Sequence, residues 1–310
     1  MSLVEGHSSA RITSIELLRL LASLGIIFFH AQAPGALIGY SGLPVFMMIS
    51  IAFSAMDTKH KSFNSIASAK FKRLGNPWIF WSMVYLCLKW IKCWHEGNPG
   101  ICPFQSYMIL TGTSLHLWYL PFALLILTIV SLSVHKGLLP VKNKYVYLYI
   151  VISVIFFVVC SLLLPRVKGA VPFSQWVFIT PSIPMGMILA VTPLGEKKSL
   201  RILLVVFIIL VVSSLILNSY GYNRLIVPYL VALGGCIAAW TVSTKTNHTI
   251  NKLALLSFGI YLVHPLFGYL IQMAFPCFSN EFPFIYVFLL FIISLAITGI
   301  IMKTPLRRFV

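Results

Sequence analysis

Hydrophobic residues in this chain come in long unbroken blocks, not in the alternation of a strand or the one-sided stripe of a soluble helix. Ten such blocks can be drawn, near residues 14–33, 42–56, 74–92, 114–134, 146–164, 173–192, 202–218, 224–243, 253–274 and 284–303. Crossing a bilayer as a helix takes roughly 20 apolar residues. The pattern therefore predicts an all-α fold, a polytopic membrane helix bundle of about ten transmembrane helices. The second block is short, and the sixth contains Pro181 and Pro184. Proline is tolerated in such helices because neighbouring helices re-satisfy the freed backbone groups. The polar stretches between blocks are too short for a further domain, so residues 1–310 are expected to form a single membrane domain.

Composition agrees. Hydrophobic residues make up 59% of the 310 and charged residues 9%, with a mean hydropathy of +0.94. A soluble domain carries about 25% charged residues. The net charge of +17 would suggest nucleic acid in a soluble protein. Here the basic residues fall in the connections between blocks, as cytoplasmic loops require, and no nucleic-acid partner is expected. With a cytoplasmic N-terminus, Arg11, Lys59, Lys61, Lys70, Lys72, Arg73, Lys136, Lys142, Lys144, Lys197, Lys198, Arg201, Lys245, Lys252, Lys303, Arg307 and Arg308 lie inside. Only Lys89, Lys92, Arg166, Lys168 and Arg224 lie outside. That asymmetry predicts both termini cytoplasmic. The first apolar run contains Glu16 and Arg19, unlike the apolar core of a cleavable signal, and is expected to remain as the first span.

Six cysteines occur without a CxxC spacing, and no metal-ligand set is visible. Cys93 and Cys102 could pair in an oxidising compartment or simply pack.

Ionisable groups inside apolar spans are costly and point to function. The first span holds three. Glu16 and Arg19 are three residues apart and can pair. Arg19 and His30 are eleven apart, three turns plus about 20°, so they share a helix face and lie roughly 16 Å apart along it. Lys70, Lys72 and Arg73 precede the third span; they either anchor it or bind an anion. His116 and Trp118 open the fourth span, and His264 lies in the ninth, where a structural and a catalytic role both remain open. No P-loop, GxGxxG, GxSxG or HExxH is present.

Glu16-Leu-Leu-Arg19, followed ten residues later by His30, resembles the first-span signature of the acyltransferase-3 family of integral membrane acyltransferases. Four further segments are similar in order: Gly42-Leu-Pro-Val-Phe-Met-Met-Ile-Ser50, Lys72-Arg73-Leu-Gly-Asn-Pro77, His116-Leu-Trp118-Tyr-Leu120 and Ser257-Phe-Gly-Ile-Tyr261-Leu-Val-His264-Pro265. The likeness runs from residue 11 to about 308. Two departures stand out. Pro121-Phe-Ala-Leu has no acid where many members carry a glutamate pair, and Ser50 is followed by Ile-Ala-Phe53 instead of Gly-Phe. The first suggests the branch without an appended extracytoplasmic esterase-like domain.

The resemblance implies acyl transfer, usually O-acetylation of a cell-envelope carbohydrate. Acetyl-CoA would be the donor, and a sugar hydroxyl on a polysaccharide or lipid-linked precursor the acceptor. The location would be the bacterial inner membrane, with no bound cofactor. Such chemistry needs a base, a means of stabilising the oxyanion and a hold on CoA. Histidine titrates near neutrality, cations stabilise developing negative charge, and Arg and Lys bind phosphates. Lys70, Lys72 and Arg73 are thus expected at the donor, with Arg19, oriented by Glu16, one turn deeper and His30 as general base or as a transient acetyl carrier. Ser50, His116, Trp118, Tyr261 and His264 are additional candidates. A permease or flippase for an envelope intermediate, and an acyltransferase for a small soluble acceptor, are the alternatives.

Overall fold

The computed structural model describes residues 12–57, 62–95, 104–219, 225–242 and 246–310. Among these there is no strand; the chain is an all-α membrane bundle. All ten predicted segments are helical: α1 (Thr13–His30), α2 (Gly42–Met56), α3 (Asn76–His95), α4 (Tyr119–His135), α5 (Val146–Leu163), α6 (Ser182–Val191), α7 (Lys197–Ser219), α8 (Ile226–Thr241), α9 (Ser257–Ala274) and α10 (Pro283–Ile301). Short helices precede several of them: Ala36–Gly39 before α2, Phe63–Lys70 before α3, Phe173–Ile179 before α6 and His248–Ala254 before α9. Only helices satisfy every backbone group from within when the surroundings are lipid.

Length and apolar composition qualify seven of these described segments as membrane spans, or eight if His248–Ala254 and α9, bent by 51°, count as one. Two predicted spans fall short for different reasons. Helix α8 has only 16 residues. Helix α3 has 20 but carries Lys89, Lys92 and four tryptophans. Arg11, Lys59, Lys61, Arg224 and Lys245, and the Cys102 half of the suggested cysteine pair, lie outside the described residues.

Burial separates centre from periphery. The spans containing α2 and α6 are 61% and 67% buried, whereas α7 and α10 are 28% buried. The outward residues of α7 and α10, such as Leu204, Ile208, Leu215, Ile285 and Ile292, are exposed and apolar, as a lipid-facing surface requires. Helix α1 packs on α2, α8, α9 and α10. Its first turn is pinned by Ser14 Oγ donating to the Ala239 carbonyl at 2.7 Å, and Thr13 Oγ1 accepts from the Asn247 amide at 3.0 Å. Helix α3 is tied to α9 by Tyr85 Oη donating to the Leu262 carbonyl at 2.7 Å. It is tied to the C-terminus by Trp81 Nε1 donating to the Phe309 carbonyl at 2.9 Å.

Helices α2 and α6 form the innermost contact, and Gly186 permits it. A Cβ at Gly186 would sit 2.7 Å from Ile51 Cβ and 2.8 Å from the Met48 carbonyl oxygen. In the membrane, where water drives no helix association, such close approach is a main source of packing energy. Gly186→Ala is therefore expected to destabilise the protein by about 1–3 kcal/mol and lower its melting temperature in detergent. Gly234→Ala in α8 supplies the control, because its Cβ would meet only Phe207 at 3.6 Å. There the better helix propensity of alanine, worth about 0.5–1 kcal/mol, should leave the melting temperature unchanged or higher.

Candidate active site

Three histidines from three distant parts of the chain converge. His30 ends α1, His116 lies in the single 3-10 turn Leu115–Trp118 that leads into α4, and His264 sits midway along α9. Their ring centroids are 5.1 Å apart for His30 and His264, 6.0 Å for His116 and His264, and 6.4 Å for His30 and His116. His116 and His264 are buried, while His30 is exposed. His30 is thus the member a substrate can reach.

Local structure fixes the ring orientations. His264 Nδ1 lies 3.1 Å from the Ile260 carbonyl one turn earlier. A carbonyl only accepts, so Nδ1 carries the proton and Nε2 presents a lone pair. That Nε2 is buried with no hydrogen-bond partner. Pro265 follows directly and has no amide hydrogen to offer the Tyr261 carbonyl. His116 Nδ1 is 2.9 Å from Ser114 Oγ, and its Nε2 is likewise buried and unpartnered. Buried polar nitrogens are nearly always satisfied, so two orphans in one cluster mark a place where another polar group is accommodated.

His116 lies deeper than the opening of a fourth span would suggest. Gly112 has a left-handed φ of 83°, and a Cβ there would strike Ser82 Oγ at 2.6 Å and Trp78 Nε1 at 2.9 Å. Those two residues belong to the first two turns of α3, so the chain before α4 descends along α3. Thr113 Oγ1 donating to the Ser82 carbonyl holds it there. The Tyr85 ring then packs edge-on against His116 at 4.8 Å, and Tyr261 Oη donates to the His116 carbonyl.

A second cluster is cationic. Arg19 contacts both Glu16 carboxylate oxygens, at 3.1 and 3.3 Å, the expected i,i+3 pair. Lys70 Nζ donates to Ser54 Oγ at 2.5 Å, one helical turn beyond half-buried Ser50. Lys72 and Arg73 are exposed on a π-helical turn, Phe71–Gly75, that packs on α4. π-helical turns often mark functional sites.

Buried tyrosines join the two clusters. Arg19 and Arg73 both lie within electrostatic reach of the Tyr119 hydroxyl. The Tyr119 ring lies 6.0 Å from Tyr261, which lies 5.9 Å from His116 and 6.3 Å from His264. The structure thus brings Arg19, Arg73, Tyr261, His116, His264 and His30 into one track. Trp118 is turned elsewhere, into the apolar core against Phe122 at 6.3 Å. Tyr119 and Tyr85 were not singled out from the sequence. Tyr119 stands three residues after His116, on the same helical side, and that spacing could have flagged it; Tyr85 carries no such signal.

Residues 12–303 match the acyltransferase-3 family, described as an acyltransferase domain. The chain belongs to this family and is a multi-pass membrane acyltransferase. No curated protein and no solved structure matches it.

Tyr261→Phe removes the hydroxyl that fixes the His116 backbone. The expected cost is about 1 kcal/mol of stability together with a clear loss of acyl transfer per folded molecule. Tyr149→Phe removes the hydroxyl of another buried tyrosine, bonded to the Pro140 carbonyl at 3.1 Å in a part-buried contact. It should cost similar stability and leave the rate intact. Equal rates in the two variants would remove Tyr261 from the site.

Proposed function

We propose that this acyltransferase moves an acetyl group from cytoplasmic acetyl-CoA to a hydroxyl of a cell-envelope carbohydrate, a polysaccharide or its lipid-linked precursor, in the bacterial inner membrane. The observation that supports this reading is the polar track from Arg19 and Arg73, through Tyr119 and Tyr261, to the three histidines. A donor with a phosphate-bearing head and a long thioester arm fits one end. An acceptor hydroxyl fits the other, where His30 is exposed.

The division of labour follows from the chemistry. Lys72, Arg73 and Lys70 hold the phosphates of CoA. Arg19, held through Nη1 by both Glu16 carboxylate oxygens, guides the pantetheine arm inward. His30 takes the proton of the acceptor hydroxyl as its oxygen attacks the thioester carbonyl. The oxyanion that develops is met by the polar groups of the cluster. The carbon–sulfur bond then breaks, the acetyl ester remains on the sugar, and the CoA sulfur leaves with the proton that His30 had taken. His264, with its fixed tautomer, and His116 hold His30 in place and keep the surrounding field polar.

The test is acetate incorporated into envelope glycan, normalised to membrane-inserted protein. His30→Ala should lose on the order of a hundredfold to ten-thousandfold in rate while still inserting. Arg19→Lys keeps the charge but not the planar fork, and should raise the KM for acetyl-CoA. Near-normal transfer per folded molecule in His30→Ala would shift the base to His116 or His264. Wild-type protein that neither transfers nor slowly hydrolyses acetyl-CoA would favour a permease.

The orientation proposed places both termini in the cytoplasm, on the side of the Lys72 and Arg73 cluster. A reporter fused after Val310 should therefore be active only as a cytoplasmic fusion. An extracytoplasmic signal would put the donor cluster on the wrong side for CoA.

A further inference from the structure

Beside the histidine cluster lies a cavity of about 620 Å³ whose role the proposed chemistry leaves open. It borders the last turn of α1 and the segment after α5. One wall is a stack of three aromatic rings. Tyr40 lies 4.0 Å from Phe29 at 16° and 4.0 Å from Phe178 at 20°. The polar side chains around this wall are the amides of Gln32 and Gln175, the hydroxyls of Ser161 and Ser174, and the ammonium of Lys168. Among the described residues Lys168 is the one charged side chain in the lining, and no carboxylate shares it.

Two features tie the cavity to the chemistry. Phe29 immediately precedes His30, and their rings are 5.4 Å apart. Gln32, two residues further on, is the one described non-glycine residue with positive φ, at 51°. Its side-chain amide donates to the Phe29 carbonyl at 2.9 Å. A non-glycine residue in that region is uncommon, and such backbone tends to cluster at ligand-binding sites.

We propose that this cavity seats the acceptor, and that it selects a carbohydrate bearing a negative charge, held by Lys168. The size suits a small saccharide unit. Between them the amides match vicinal hydroxyls: Gln32, one N–H of which is given to the Phe29 carbonyl, keeps its oxygen as acceptor, and Gln175, whose oxygen accepts from Ser174, keeps its N–H donors. An apolar wall of rings receives the C–H face of a sugar. A lysine with no acid in the described lining donates to any acceptor but bonds an anion more strongly than a neutral hydroxyl, and so favours the charged ligand. The charge can come from the carboxylate of an acidic sugar or from the phosphate of a lipid-linked precursor; the recognising chemistry is the same. The assignment of the ligand as acceptor rests on the acyl-transfer reading, whereas the charge selectivity does not.

The experiment measures equilibrium binding to the full-length protein in nanodiscs at low salt. The probes are a galacturonic-acid trisaccharide and a neutral galactose trisaccharide, with polyprenyl phosphate added to the lipid as a competitor. The acidic probe should bind about tenfold more tightly than the neutral one, the scale of one hydrogen bond to a charged group. The preference should fade as salt is raised, disappear in Lys168→Ala and persist in Lys168→Arg. Competition by polyprenyl phosphate assigns the charge to a lipid-linked precursor; no competition assigns it to an acidic sugar. If neither acidic ligand binds better than the neutral probe, or if a preference survives in Lys168→Ala, the proposal is overturned. Acetyl-CoA hydrolysis by the wild-type protein is measured separately. Absence of both hydrolysis and transfer alongside intact charge selectivity would defeat the acyl-transfer reading and leave the cavity's preference standing.

Discussion

An imidazole placed among apolar helices gives up its hydration, and only protein groups or a bound ligand can replace it. Three such rings in one place are a constraint on everything around them. Here two of the Nδ1 atoms are satisfied locally, one by the Ile260 carbonyl and one near Ser114 Oγ. The two Nε2 atoms are not. A bundle selected for stability alone would fill that space with leucine, since apolar replacements of buried polar clusters are often neutral or better. In the proposed reaction the partners of these nitrogens arrive with the reactants.

Helix α1 carries the consequence. It has an ion pair near one end and an exposed histidine at the other, and it packs on four other helices. A single rigid helix fixes the separation of Arg19 and His30 at roughly 16 Å, eleven residues at 1.5 Å each. A loop would let that distance fluctuate, and catalysis by positioned groups tolerates little misplacement. The Glu16–Arg19 pair serves the same end. Burial of the carboxylate beside the guanidinium limits where that long side chain can go.

How much of this could be read from the sequence depends on the range of the interaction. The Glu16–Arg19 pair and the shared face of Arg19 and His30 were legible because helical periodicity alone fixes them. The all-α bundle was legible because the apolar runs are long and unbroken. The count of spans was not secure, since α8 is short and the tryptophans and lysines of α3 dilute its apolar character. His116 and His264 could be named as candidates, but their meeting with His30 is a tertiary fact. The hydrogen bond from Tyr261 to His116 spans 145 positions, and no local spacing encodes it. The bond from Lys70 to Ser54 joins two segments 16 positions apart, and Ser54, one turn beyond the candidate Ser50 on the same side of α2, has no local spacing that marks it. The outer cavity was illegible for the same reason, because its walls come from α1, the end of α5 and the segment before α6.

The descent of the chain along α3 is what makes the two clusters one site. Had residues 108–118 stayed at the far end of α3, His116 would be separated from the cationic cluster by most of a span. Gly112 instead lies against Trp78 and Ser82, near the start of α3. Helix α4 therefore begins deep in the bundle, and its first residue, Tyr119, comes within electrostatic reach of both Arg19 and Arg73. The π-helical turn that displays Lys72 and Arg73 packs on that same α4. One helix thus sets the position of the cations by its side and of His116 by its start. In the proposed reaction, a donor held by its phosphates at the turn would be measured against the histidines by α4 itself, a rigid element. The depth of that helix start follows from the left-handed φ at Gly112 and the bond from Thr113 to the Ser82 carbonyl. Two local features of the backbone, neither of them a catalytic group, thereby decide whether the polar track is continuous.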